Sequence, residues 1–310
     1  MNYGLLPKTE DVRDINVGAI VVLPKLSELP DEYQVSSSYV YDQGATDTCA
    51  GCASAKVSGL QEGWKLDPLF TWVMARHSAK MKPDDWGVDL RSIASAHVKV
   101  GALKLSEAPY TVNDDPKVWR DITNWNVAAL LPQSILHKKA SYVWVTPNDG
   151  LIAGYDMFDT LRATQWKFRN NTNSEGKKTG IALVIGTHWS YPANEPDIVN
   201  WQPGGYGHAH VFSGWTKRGA EIRCVDINSW GEQVGDKGKF YISREVINKE
   251  VPIFGSFFFH DETPDRLRWH VENGVKLDDG LLYGLLRAFY VALRDLRAKT
   301  QSYVATLFKS

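Results

Sequence analysis

Asp42-Gln43-Gly44-Ala45-Thr46-Asp47-Thr48-Cys49-Ala50-Gly51-Cys52-Ala53-Ser54-Ala55 is the stretch around which the chain reads as organised. Gly44 opens a turn, a short polar stretch follows, and Cys49 stands where a helix of small residues begins. A thiol there lies at the positive end of the helix dipole, which favours the thiolate, the form that attacks as a nucleophile. Gln43 precedes it and is placed to offer its side-chain amide to a developing oxyanion. Taken alone, the stretch keeps two other readings. Cys49 and Cys52 form a C-x-x-C, a redox pair or half of a zinc site. A cysteine in a small-residue helix is also commonly plain core.

The 310 residues, with 12 Trp, 13 Tyr and a net charge of -1, suit one large domain or a domain with an appendage. No basic block marks a nucleic-acid footprint, so no nucleic-acid partner is expected. Three cysteines in this length argue against a disulfide framework. Met1 to Asp11 lacks the charged and apolar regions of a secretory signal. No run nears the roughly 18 to 20 apolar residues that span a bilayer. The expectation is a cytoplasmic or virion/particle-associated protein without signal peptide or transmembrane segment.

Around the opening stretch, residues 1–40 read as an extended lead-in punctuated by prolines, a strap along the surface of the main domain. Helices are expected over Cys49 to Trp64, Leu69 to Ala79, and Leu90 to Val98 with Asp89 as cap and Gly101 as stop. Strands are expected at Val143-Trp144-Val145 and Gly180 to Gly186, with a helix over Thr160 to Arg169 and a polar loop at Asn170 to Lys178. From residue 206 the pattern turns to strands: His210 to Trp215, Glu221 to Ile227, Gly238 to Ile242 and Ile253 to Phe259, an antiparallel sheet. Helices first and strands later predict an α+β fold of two layers with a cleft between them. Leu282, Leu285, Leu286, Phe289, Leu293 and Leu296 fall on one stripe of a C-terminal amphipathic helix. That helix, 281–308, would dock on its own domain, on a second copy or protein partner, or on a membrane surface.

A second constellation lies in the sheet region. Gly207-His208-Ala209-His210 follows the glycine-rich loop Pro203-Gly204-Gly205-Tyr206, and Asn228-Ser229-Trp230-Gly231 ends a neighbouring strand. An Asn carbonyl that accepts from one imidazole nitrogen fixes the tautomer and turns the other nitrogen to a thiol. His210, on the same strand face as His208, competes for the role of base.

Together these segments resemble the papain-like cysteine peptidases, of the compact bacterial and viral type. The family's Gln-Gly, four variable residues and Cys look like Gln43-Gly44 through Cys49-Ala50. Its His-Ala with a later Gly-aromatic pair looks like His208-Ala209 with Gly214-Trp215, a spacing that prefers His208 over His210. Its Asn-Ser-Trp-Gly looks like Asn228-Ser229-Trp230-Gly231, followed by Gly238-Lys239-Phe240-Tyr241. Leu69 to Arg76, Gly87 to Arg91 and Gly101 to Tyr110 also resemble family segments.

The resemblance implies a helical subdomain and an antiparallel sheet or barrel with the active site between them. The peptidase domain would span 1–270 and the helical tail 271–310. It implies a cysteine endopeptidase, or a related amidase or isopeptidase, hydrolysing peptide, isopeptide or amide bonds of a peptide or protein substrate through a Cys49 thioester, with no cofactor and no metal. Cys49 would be the nucleophile, His208 its ion-pair partner and the acid for the leaving amine, Asn228 the orienter, and Gln43 with the Cys49 N–H the oxyanion hole. Trp86, Gly87 and Ala209 would line the substrate cleft, and Trp230 would cover the His–Asn pair. Thr46 replaces a disulfide cysteine of secreted members, Ala50 replaces the common Trp, and about forty residues, not a long inhibitory propeptide, precede Gln43. A catalytically silent module used for binding or assembly is the rival reading, disfavoured by the complete Cys-His-Asn-Gln set.

Overall fold

A computed structural model of the chain describes residues 4–11, 14–146, 152–173, 176–189, 197–200 and 205–260. The expected tail at 271–310, with its amphipathic helix at 281–308, lies outside the described residues, as do Pro203 and Gly204 of the glycine-rich loop.

In chain order the elements are β1 (Leu5–Leu6), α1 (Val17–Ile20), β2 (Tyr33–Gln34), α2 (Cys49–Glu62), α3 (Pro68–Ser78), β3 (Val88–Asp89) and α4 (Leu90–Lys99). Then come α5 (Pro116–Trp119), α6 (Val127–Ser134), β4 (Ser141–Trp144), α7 (Met157–Lys167), β5 (Leu183–Trp189) and β6 (Ile198–Val199). The last are β7 (Tyr206–Arg218), β8 (Glu221–Ile227), β9 (Lys239–Ile242), α8 (Arg244–Phe254) and β10 (Ser256–His260).

The helical side is built around α2. Its face toward α3 admits no side chain at Gly51, where a Cβ would stand 2.4 Å from the Pro68 carbonyl oxygen. Two carboxylates start the neighbouring helices: Asp67 accepts from the Leu69 and Phe70 N–H groups ahead of α3, and Asp89 accepts from the Ser92 N–H ahead of α4. Each satisfies N–H groups that a helix start leaves unpaired. Trp72, Phe70, Leu69 and Trp119 fill the core of this side.

The other side is an eight-stranded sheet in the order β4-β10-β5-β7-β8-β9-β6, with β2 added along β7. β5, β7 and β8 run antiparallel to their neighbours, with Ile185 opposite His210 and Val211 opposite Ile227. Phe158, Phe212, Trp215, Ile247 and Phe258 pack a second core behind it. The chain is therefore α+β with segregated layers, as the residue pattern predicts.

Two expectations change. The Ile253 to Phe259 strand is in fact the end of a helix and a separate strand. Ser243 caps α8 by accepting from Val246 N–H, and Gly255 at φ +97° stops it. The aromatic run that follows is β10, buried throughout. The lead-in is also less superficial than a strap: Leu5, Val17, Ile20, Val21 and Val35 are all buried.

Candidate active site

Cys49 is the first residue of α2, with Thr48 before it in the cap position. Its side chain is fully buried. Backbone N–H groups of Ala209, Gly4 and Ala50 bear on the sulfur. Ala209 follows His208 on β7, so the thiol abuts the strand that carries the imidazole. His208 Nε2 pairs with Asn228 Oδ1 at 2.9 Å, and the Ser229 N–H donates to the same oxygen at 2.7 Å. An oxygen that accepts from both fixes the amide's orientation and makes Nε2 the protonated nitrogen. Trp230 stacks on His208, with centroids 4.8 Å apart and planes 16° apart, and Trp189 meets both rings edge-on.

The two segments that carry these groups are tied together by backbone. Gln43 N–H donates to Ser229 O at 2.7 Å, and Gly231 N–H donates to Tyr41 O at 2.9 Å. The Gln43 side chain is buried beside them. Its amide donates to Thr46 O at 2.6 Å, and Ser229 Oγ donates to its Oε1. The amide nitrogen has a second hydrogen to offer.

Both ring nitrogens of His210 are engaged elsewhere. Nδ1 pairs with Asp226 Oδ1 at 2.6 Å and Nε2 with Thr187 Oγ1 at 2.9 Å, all buried. Cys52 lies one turn past Cys49 in a separate small cluster with Tyr41, Ala55 and Leu66. Cys49, Cys52 and Cys224 are all free thiols.

The crevice is occupied by the chain itself. β1 runs parallel to β3, with Leu5 beside Val88, and the Val88 N–H donates to Gly4 O at 2.9 Å. Gly87, at φ +68°, leaves room for this strand: a Cβ there would lie 2.1 Å from Gly4 O. Gly207 does the same on the other wall, where a Cβ would lie 2.2 Å from Leu5 O. The Leu5 side chain reaches Gly186 and Phe254. Gly87 abuts Gly4, and the Ala209 N–H bears on the Cys49 sulfur. Trp86 is half exposed at the mouth of the crevice with the Arg120 guanidinium over its ring. Trp230 packs on the histidine.

Burial sets the electrostatics of the pair. A helix N-terminus favours a thiolate, yet burial outweighs it and pushes the Cys49 thiol up to about 11. Burial likewise holds His208 down to about 3, helped by His210 and opposed by the Asn228 bond. Both shifts favour the neutral thiol and imidazole over the ion pair that the resemblance implies, because neither group meets water beneath β1.

Several participants went unread in the sequence. Asp47 stands inside the motif as a variable residue, yet its Oδ2 accepts from Gly87 N–H at 2.7 Å and its Oδ1 pairs with Arg120. Trp189 had only strand propensity to mark it. Gly4 and Leu5 gave no signal, because their partners lie far along the chain.

No family model matches this chain, and no curated protein does. Solved structures do match. Xylellain, a cysteine protease from Xylella fastidiosa, aligns at TM-score 0.65 and 20% identity, over 84% of this chain and 96% of that one. ProCathepsin B S9 from Trypanosoma congolense aligns at 0.57 and 15%, over 85% and 86%. The bromelain protease from Ananas comosus, solved with the E64 inhibitor, aligns at 0.51 and 13%, over 76% and 100%. The fold is that of the papain-like cysteine peptidases.

Proposed function

We propose that this papain-like chain is a cysteine peptidase in which Cys49 is the nucleophile and His208 the base and acid. The observation that carries the reading is the thiol at the start of α2, set against Ala209, with the adjacent His208 locked through Nε2 to Asn228. His208 Nδ1 takes the thiol proton as sulfur bonds to the substrate carbonyl carbon. The carbonyl electrons move to oxygen, where the Cys49 N–H and the second Gln43 amide hydrogen stabilise the charge. The C–N bond then breaks, His208 returns the proton to the leaving amine, and a thioester remains. Water adds to it, gives its proton to His208, and expels the sulfur. Gly87 and Ala209 present backbone to the substrate chain, and Trp230 shields the His208–Asn228 bond from water.

In the resting arrangement β1 fills the crevice. The Gly4 N–H, not a carbonyl carbon, faces the sulfur, and the Gly4 carbonyl is held by Val88. Such a strand blocks the site without offering it a bond to cut. Displacing it rehydrates Cys49 and His208 and relieves the burial that keeps both neutral.

Incubation with a peptide library blocked at both termini tests the reading. Internal cleavage that disappears in Cys49→Ala supports an endopeptidase. A folded protein that cleaves none of the library, even after Leu5→Ala opens the crevice, supports the silent module instead.

A further inference from the structure

The sheet behind His208 carries a second imidazole–acid pair that the chemistry above does not use. His208 and His210 share one face of β7, Asp226 lies on β8, and Asn228 follows directly where that strand ends at Ile227. Across the ladder Val211 stands opposite Ile227. Each imidazole therefore crosses to β8 along the same diagonal, His208 to Asn228 and His210 to Asp226, a separation that side chains of this length bridge. The outer pair uses a carboxamide and the inner one a carboxylate.

The inner pair is fully built. Thr187 Oγ1, His210 Nε2, His210 Nδ1 and Asp226 Oδ1 form one file of hydrogen bonds, and none of the three residues is more than 1% exposed. Burying a carboxylate in a core that hydrophobic side chains would fill equally well is costly. The file makes two contacts with the outer pair. The His210 ring stacks on His208, with centroids 5.6 Å apart and planes 11° apart, so His208 is held between His210 and Trp230. The Asn228 carboxamide bears on the Asp226 carboxylate. Asn228 Nδ2 and Asp226 Oδ2 are both buried without a hydrogen bond, so the amide and the carboxylate act on each other electrostatically and not through a bond between them.

We propose that Asp226 and His210 are positioning residues: Asp226 fixes which way the Asn228 amide is turned, and His210 forms the inner wall against which His208 is held. The physical reason lies in the amide's two ends. With Nδ2 toward the carboxylate, Oδ1 faces the Ser229 N–H and His208 Nε2–H. A flipped amide would set its oxygen against a carboxylate and its hydrogens against two other donors. Asp226 raises the cost of that flip, and the His208 tautomer follows from the amide's orientation.

The inference rests on the proposed peptidase reading for its consequence, but its decisive readout needs no activity. Asp226→Asn keeps the shape and removes the charge, leaving a neighbour that accepts Asn228 either way round. The ring ¹⁵N signals of His208, assigned by their loss in His208→Gln, are expected to report a single Nε2–H tautomer in the parent. A mixture is expected in Asp226→Asn. On a peptide that the parent cleaves, kcat should fall by about 10- to 100-fold, the range seen when the outer partner of a metal-bound imidazole is removed, with KM nearly unchanged. Unchanged His208 signals in a folded Asp226→Asn variant overturn the proposal, whatever the rate does. If that variant does not fold, Asp226→Leu, which removes the carboxylate at similar volume, is read by the same signals with the same two outcomes. A parent that cleaves no peptide overturns the peptidase reading alone and leaves the tautomer result standing.

Discussion

Leu5→Ala should turn a slow thiol into a fast one. Leu5 is 5% exposed, and its side chain fills the space between Gly186 and Phe254. Truncating a buried leucine costs about 2–5 kcal/mol, and a strand at the rim of a crevice should lie at the lower end, about 2–3 kcal/mol. Beyond β1 the chain stays anchored, because the Lys8 N–H donates to Ile253 O at 2.9 Å and Arg91 pairs with Asp14. The loss is therefore felt as local opening. At about 1.4 kcal/mol per tenfold, the open population should rise about 30- to 150-fold. Alkylation of Cys49 by iodoacetamide, followed by mass spectrometry at fixed pH, reads that population directly when reagent reacts only with the open form. Peptide hydrolysis should rise in step until opening is no longer limiting. A folded Leu5→Ala variant whose Cys49 reacts within about twofold of the parent rate would mean that access to the thiol does not depend on β1.

Gly87→Ala should also expel β1, since its Cβ would lie 2.1 Å from Gly4 O at a φ of +68°. Here alkylation should speed up while hydrolysis falls, because a substrate strand meets the same methyl group; a rise in both would contradict it. His97 is buried, pairs with Ser54 Oγ at 3.1 Å, and is held by burial at about 3. Unfolding at acid pH must charge it, so its share of stability is present above about pH 6.5 and is lost toward pH 3, at about 1.4 kcal/mol per pH unit. In His97→Gln the acid limb of a denaturant titration should be shallower by that slope, and parallel limbs would count against the assignment. Lys139→Met removes the 2.6 Å partner of buried Glu62 and should cost about 3–5 kcal/mol. Adding Glu62→Met should recover most of it, and chemical denaturation of the single and double variants measures both.

Much of the helical side was legible because its signals are local. Asp89, Leu90 and Gly101 spell cap, helix and stop within a dozen residues, and the α2 helix announced itself by small residues that admit a close neighbour. The three site motifs were legible for the same reason, each being a short run with its chemistry inside it. The α8 helix was missed although Ser243, Val246, Ile247, Val251 and Gly255 spell it in the same terms. The aromatic run of β10 drew the strand assignment across the Gly255 break. The filling of the crevice was illegible for a different reason. Leu5 is one apolar residue in a proline-rich lead-in, and its neighbours Val88, Gly186 and Gly207 come together only in the fold. The neutral state of Cys49 was illegible too: the sequence places it at a helix start, where the dipole favours a thiolate, and burial in the fold outweighs that, while the Gly4 N–H pulls the other way.

The most direct measurement of the central claim is covalent labelling by a peptidyl epoxysuccinate, located by mass spectrometry in the Leu5→Ala background. One adduct is expected, on Cys49, and it should be lost when His208→Ala is added. An adduct on Cys52, or one on Cys49 that forms at the same rate without the imidazole, would contradict the claim.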